Sequence, residues 1–322
     1  MISQWKKLAR YAFIDLELAP DSTTFISGMA RSGTTWLAET LNYDNSQRDV
    51  LEPFLPAKVG AARVFKTNQY LNPENRDPVL IRHARKILSG NFRSRWSDWG
   101  NRRFVSTRRI VKDVRTNLML KWLLGLRPGM RTLFLIRHPL SIYASWKKLG
   151  WGRGTETKRG DFEEVISQAD LLADYPLVAN GLARINPADY FEKSIFLWGI
   201  LHYVPFRQLN PQDCLFVYYE NLVLKPEEEL GRIFSHLNRP FDFSALSHKI
   251  RVPSKTNYHD RNFSIAPETL IQGWKKEFSG EEISRSHEIL DIFGLRRLYD
   301  ENGFPAFPEQ NLPDMFSLVL YQ

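Results

Sequence analysis

Residues 25–37 read FISGMARSGTTWL, with Gly28 and Gly33 separated by four residues. An apolar run enters this stretch and a helix-forming run leaves it, so the glycines mark a tight turn between a strand and a helix. Few features restrict a fold more. The backbone N–H groups of such a turn converge on one spot, and the helix dipole adds about half a positive charge there. The loop is built to hold an anion, unless it is only a structural turn with the same letters. A nucleoside triphosphatase would carry lysine directly after the second glycine, and this chain has Thr34. The cation stands earlier, at Arg31, and the hydroxyls of Thr34 and Thr35 join the cradle. A guanidinium there suits one compact tetrahedral group gripped as charge develops on it.

The elements around the loop predict the architecture. Residues 24–27, 110–112, 132–136 and 215–219 read as short buried strands, with helical patterns between them, the first over Thr34 to Leu41. That alternation predicts an α/β chain with a three-layer, P-loop-like fold: a central parallel sheet flanked by helices. The last third is mostly helical. Pro226 opens PEEELGRIFSHL, and Ser279 with Glu282 forms a capping box for a later helix. No repeat or boundary interrupts the chain, so residues 1–322 are expected to form one domain. The glycine-rich, charged segment 150–161 is expected to be a mobile lid loop.

Composition narrows the class. A hydrophobic content of 43% supports a packed core, and the single cysteine, Cys214, excludes an internal disulfide and a multi-cysteine metal site. There is no apolar run near the ~18 residues of a membrane span, and MISQWKKLARYAF lacks the core of a signal peptide. The expectation is a soluble cytoplasmic protein without a transmembrane segment. Residues 76–109 hold nine arginines and Lys86 against Asp77 and Asp98, so this segment alone accounts for the net charge of +8. Local basicity of this kind points to an acidic partner.

A second block, TLFLIRHPLSIYASW, is a strand, a turn with Pro139 and a helix, with Arg137 and Ser145 eight residues apart. Arginine at the strand end and a hydroxyl two turns into the helix can converge on one phosphate at the carboxyl edge of the sheet. ARSGTTWL resembles the 5′-phosphosulfate loop of the sulfotransferases that use 3′-phosphoadenosine 5′-phosphosulfate (PAPS), and the Arg137–Ser145 block resembles their 3′-phosphate motif. The arginine at position 31 is similar to the tyrosylprotein branch and many bacterial members; many cytosolic members carry lysine there. The resemblance implies PAPS as co-substrate and no metal requirement. It implies that Arg31 contacts the bridging oxygen and the transferred group, and that Ser32, Gly33, Thr34 and Thr35 hold the 5′-phosphate. Trp36 lies against adenine in some branches, and Tyr219, in VYYENLVLKPEEEL, is the family's adenine-facing tyrosine. VPSKT resembles the late loop over the 3′-phosphate, with Ser254 and Lys255 as its candidates, and GWKKEFSGEEI resembles a C-terminal segment of bacterial members.

The reaction needs a base, cations at the leaving phosphate and in-line placement. Cytosolic members use a histidine after a Lys-Thr pair; the matching stretch here, IVKDVRTN, has none. Carbohydrate and tyrosylprotein sulfotransferases use a glutamate roughly twenty residues beyond the loop cation. Glu52 lies 21 residues after Arg31 and is the sole glutamate between Leu41 and Tyr70. The resemblance makes Glu52 the base, with burial beside Leu51 and Phe54 expected to raise its pKa, and makes Lys112 the cation at the sulfuryl group. The acceptor bears a hydroxyl. Trp96, Trp99, Phe104 and the arginines of 76–109 suit an acidic carbohydrate or glycoconjugate and also suit nucleic acid, although no nucleic-acid partner is expected, or else they form a collar that attracts PAPS itself. Two alternatives stay open. One is a degenerate kinase or triphosphatase with Asp113 or Glu220 as a magnesium carboxylate. The other is an inactive relative that binds acidic polymers.

Overall fold

The computed structural model describes residues 10, 12–16, 19–151, 161–250, 266–312 and 314–316. Ser254, Lys255 and residues 152–160 of the expected lid lie outside the described residues. Seven strands occur in it: β1 (Ile14–Asp15), β2 (Thr23–Gly28), β3 (Arg48–Leu51), β4 (Val105–Ser106), β5 (Arg109–Lys112), β6 (Arg131–Ile136) and β7 (Leu215–Tyr218). Five form a sheet in the order β3-β5-β2-β6-β7, and β1 pairs with β4 apart from it. Every pairing between these strands is parallel. After β2 the chain crosses toward β3, and after β6 it crosses the other way toward β7. The crevice between the carboxyl ends of β2 and β6 is therefore the switch point where ligands of open sheets bind.

The alternation of side chains makes the three layers. On the central strands Phe25, Phe134 and Ile136 join one buried cluster, whereas Ile26, Leu133 and Leu135 join another on the opposite face. The second face is covered by the helices Thr34–Leu41, Pro226–His236 and Phe243–Ile250 through Leu37, Leu230, Ile233 and Leu246. The first face carries Leu120–Leu126, Pro139–Lys148, Tyr190–Gln208 and Gly280–Ile292. The capping box at Ser279 and Glu282 is present.

Tyr190–Gln208 is the longest helix and contains Pro205. Proline has no N–H to give the carbonyl four residues back. That carbonyl, on Leu201, instead accepts from Asn117 Nδ2 at 3.1 Å. The substitution ties the helix to the segment after β5 and keeps it continuous.

Strand β3 departs from the sequence reading because RDVL begins with two charged residues. Arg48 is nonetheless fully buried. Its guanidinium donates to Asp98 Oδ1, Asp15 Oδ2 and the carbonyls of Gly90 and Phe92. Arg109 is buried beside it, donating to Asp15 Oδ2 and Leu88 O. Part of the basic segment 76–109 is thus internal scaffold.

Candidate active site

The five strands of the sheet end at, or one residue before, residues of the candidate site: Gly28, Glu52, Lys112, Arg137 and Tyr219. The loop after β2 has positive φ at Gly28 (150°), Arg31 (76°) and Gly33 (98°). Alternating ordinary and left-handed backbone curls successive N–H groups into a concave nest for an anion. Glycine is required at 33 on two counts, because a Cβ there would also stand 2.6 Å from Tyr219 Cδ2. Arg31 has no such freedom, and its left-handed backbone costs about 1–2 kcal/mol. The Ser32 hydroxyl is buried with no hydrogen-bond partner. Thr34 is buried and Thr35 half-buried in the first turn of the helix that follows.

Arg31 is where the two predicted motifs meet. Its Nε donates to Ser145 Oγ at 2.9 Å, and its carbonyl accepts from Arg137 Nη1 at 2.9 Å. The Arg137 guanidinium lies 4.2 Å above the ring of Tyr219. Trp198 Nε1 donates to the Arg137 carbonyl at 3.0 Å and fixes that residue from the long helix. Burial, and then the like charge of Arg137, lower the Arg31 pKa. Two guanidiniums held this close are built for an anion between them. Arg137 Nε is buried with no partner, so it and the Ser32 hydroxyl are polar atoms that a bound phosphate group would satisfy. Trp36 is half-buried and packs on the cluster behind the loop.

The second constellation lies at the ends of β3 and β5. Glu52 N donates to Lys112 O at 2.6 Å, continuing the ladder one step past the strand. Glu52 then takes φ 41°, a left-handed conformation for a residue that precedes proline. Its carboxylate accepts from Lys112 Nζ at 2.7 Å on one oxygen and from Arg115 Nη1 at 2.6 Å on the other. Here the sequence expectation is corrected. Burial does push the Glu52 pKa up, but Lys112 and Arg115 outweigh it and hold the carboxyl below its ordinary range. Arg115 was missed in the sequence; its signal was its place three residues past Lys112, in the same strand-end loop.

The two carboxylates of the kinase alternative are occupied otherwise. Asp113 accepts from Phe54 N (2.8 Å) and Arg115 N (2.9 Å), joining the β3 and β5 loops around Glu52. Burial, reinforced by the Glu52 charge, pushes it up to about 6. Glu220 accepts from His138 N (2.9 Å) and Tyr299 Oη (3.2 Å), and burial pushes it up to about 7. Among the described residues no three His, Cys, Asp or Glu side chains cluster as metal ligands.

A pocket is lined by Met29 and Ala30 of the loop after β2, by Val114 and Arg115 of the loop after β5, and by Trp146, Tyr190, Ser194 and Leu197 from the flanking helices. None of its lining residues belongs to 76–109. The structure thus brings Arg31, Gly33, Arg137, Ser145 and Tyr219 together in one group, and Glu52 with Lys112 in another.

Residues 24–243 match the family model described as the Sulfotransferase family. A Caenorhabditis briggsae protein named "Putative protein-tyrosine sulfotransferase" is 24% identical over 304 residues, covering 89% of this chain and 94% of that protein. A Caenorhabditis elegans protein of the same name is 29% identical over 91 residues, a stretch covering 26% of this chain and 35% of that protein. Among solved structures, the "Sulfotransferase Domain from the Curacin Biosynthetic Pathway" is 17% identical with a TM-score of 0.44, over 97% of this chain and 99% of that one. No helix among the described residues is long and apolar enough to cross a membrane.

Proposed function

This chain belongs to the sulfotransferase family, and from that premise we propose that it transfers a sulfuryl group from PAPS to a hydroxyl acceptor, with Glu52 as the base. The observation that carries the reading is the meeting of Arg31, Ser145 and Arg137 at the switch point of the sheet. A loop whose cation is Arg31, with Thr34 where a triphosphatase has lysine, tied to a second arginine at Arg137 suits a nucleotide with separate 5′ and 3′ anionic groups.

Bound PAPS supplies the sulfuryl group and the leaving phosphate. The chain's own residues do the rest. The Gly28–Gly33 nest, Ser32, Thr34 and Thr35 hold the 5′ side, Arg137 and Ser145 the 3′ side, and Tyr219 the base together with Trp36. Ser254 and Lys255 belong to the same 3′ side by resemblance. Arg31 and Lys112 place positive charge where the leaving oxygen gains negative charge. Glu52 takes the acceptor proton, and its ionised state is secured by Lys112 and Arg115. The names of the Caenorhabditis relatives point to a tyrosine hydroxyl as one acceptor, and the basic segment 76–109 to an acidic carbohydrate.

Thermal unfolding with 3′-phosphoadenosine 5′-phosphate, with adenosine 5′-phosphosulfate and with ADP plus Mg²⁺ tests the donor. A ligand at a hundred times its Kd adds about 2.7 kcal/mol of stability. Stabilisation by the 3′-phosphorylated nucleotide that Arg137→Ala abolishes is the expected result. Stabilisation by ADP and Mg²⁺ alone would return the loop to the triphosphatases.

A further inference from the structure

The two-stranded sheet of β1 and β4 turns its apolar side outward. Ile14 pairs with Val105 and Asp15 with Ser106, and successive side chains of a strand point to opposite faces. Asp15 and Ser106 go inward, where Asp15 Oδ2 accepts from Arg48 at 2.6 Å and from Arg109 at 2.9 Å. Ile14, Leu16 and Val105 go outward and are between 50% and 55% exposed. Phe104, whose carbonyl accepts from Ile14 N at 2.6 Å, and Trp99, under the Arg10 guanidinium at 4.1 Å, are exposed as well. Five of the nine large apolar side chains exposed among the described residues thus fall in two short segments, 14–16 and 99–105, that the β1–β4 pairing holds side by side. Single exposed apolar residues are ordinary; a cluster marks an interaction surface.

The rim of this surface is basic. Arg93, Arg95, Arg103 and Arg108 are exposed, and the one acid between residues 91 and 108, Asp98, is buried against Arg48. Arg93 is fixed at the sheet by its bond to Phe13 O at 2.9 Å and lies 3.8 Å over the Phe13 ring. Asp49 offsets part of the Arg102 charge. Both halves of the surface restrict its occupant. Sugar hydroxyls and nucleic-acid phosphates match the arginines but gain nothing from Ile14, Leu16 and Val105. A wholly apolar partner would strip water from the arginines and give them no counter-charge. An anionic bilayer meets both halves. Apolar side chains enter the boundary between headgroups and acyl chains, tryptophan sits at the same depth, and guanidiniums meet lipid phosphates. Asp15 ties the surface to Arg48 and Arg109, the first residues of β3 and β5. The candidate active site lies at the opposite, carboxyl ends of those strands.

We propose that the β1–β4 surface docks the protein on membranes that contain anionic phospholipids. Ile14, Leu16, Trp99, Phe104 and Val105 insert at the interface, and Arg93, Arg103 and Arg108 rest on the headgroups. The docking is peripheral and stands apart from the transfer reaction.

The full chain is sedimented with vesicles of phosphatidylcholine alone and of phosphatidylcholine mixed with phosphatidylglycerol. Binding to the mixed vesicles, and much weaker binding to phosphatidylcholine alone, is the expected result. Arg103→Glu combined with Arg108→Glu should weaken it about tenfold or more. Ile14→Ser combined with Val105→Ser should weaken it about tenfold. Brominated lipid should quench the tryptophan fluorescence, and Trp99→Phe should reduce that quenching. All these positions are exposed, and a thermal melt checks that each variant is folded. Vesicle binding that the glutamate variant loses but the serine variant keeps is adsorption by charge alone and overturns the proposal. Absence of vesicle binding overturns it too. In that event, capture on heparin that the glutamate variant abolishes assigns the arginines to an acidic glycan, and a dimer that the serine variant dissociates assigns the apolar residues to a second copy of the chain.

Discussion

Replacing Arg115 by leucine isolates the electrostatics of the base. Arg115 Nη1 and Lys112 Nζ grip opposite oxygens of Glu52 at 2.6 and 2.7 Å. Opposite charges about 4 Å apart attract by about 4 kcal/mol at an effective dielectric near 20. The side chains of Arg115 and Glu52 are 20% and 12% exposed, so water screens part of that attraction, and Lys112 stays in place. The Glu52 pKa therefore rises, the direction that losing one nearby opposite charge gives. The assay is the pH dependence of kcat/KM, whose acid limb reports a base that must be ionised. In Arg115→Leu that limb should move to higher pH, and Arg115→Lys should return it most of the way to the wild-type position. Stability moves in the matching direction. A carboxyl held low in the folded state adds stability above its unfolded pKa and loses it as pH falls through the folded value. The leucine variant should therefore unfold at a higher pH on acidification. An acid limb that stays in place while acid unfolding shifts would show that Glu52 is a structural carboxylate and not the base.

Other changes read other parts of the site. Arg31→Ala should lower kcat about a hundred- to a thousandfold without unfolding the chain; single-turnover kinetics and a thermal melt together check this. Gly33→Ala places a Cβ 2.6 Å from Tyr219 at a φ of 98°, costing about 1–2 kcal/mol from the backbone alone. It should abolish stabilisation by the nucleotide, and adding Tyr219→Ala should recover part of the melting temperature by relieving the clash. Glu220, pushed up to about 7 by burial against the pull of His138 N–H and Arg137, favours the fold when protonated. Its contribution is complete below its ordinary range near ~4.3 and is lost as pH rises through about 7. Glu220→Gln should flatten the fall in melting temperature between those limits; an unchanged slope would contradict the assignment.

The parts of this molecule legible in the sequence are those whose physics is local. The loop at Gly28–Gly33 shows itself by glycine spacing, and the helix Thr34–Leu41 has the bounds its pattern predicts. β2, β5, β6 and β7 follow from short apolar runs, each within one residue at either end. Pro226 and the Ser279–Glu282 box mark helix starts as expected. What was hidden depends on partners far along the chain. Arg48 reads as a surface residue until Asp15 and Asp98 arrive to bury it, which conceals β3. Glu52 and Lys112 stand far apart in the sequence and meet only in the fold, and the direction of the Glu52 pKa is set by Lys112 and Arg115 together against burial. The pocket is assembled from residues between Met29 and Leu201, and no window of sequence contains it.

The helix Tyr190–Gln208 serves both the Arg137 turn and the pocket. Trp198 holds the carbonyl of Arg137, while Ser194, Leu197 and Leu201 face the space beside Arg115. A single continuous helix, braced at Leu201 by Asn117, therefore joins the Arg137 side to the pocket wall. Any coupling this helix carries between nucleotide and acceptor is reciprocal: whatever free energy the acceptor gains or loses because the nucleotide is present, the nucleotide gains or loses in equal measure because of the acceptor.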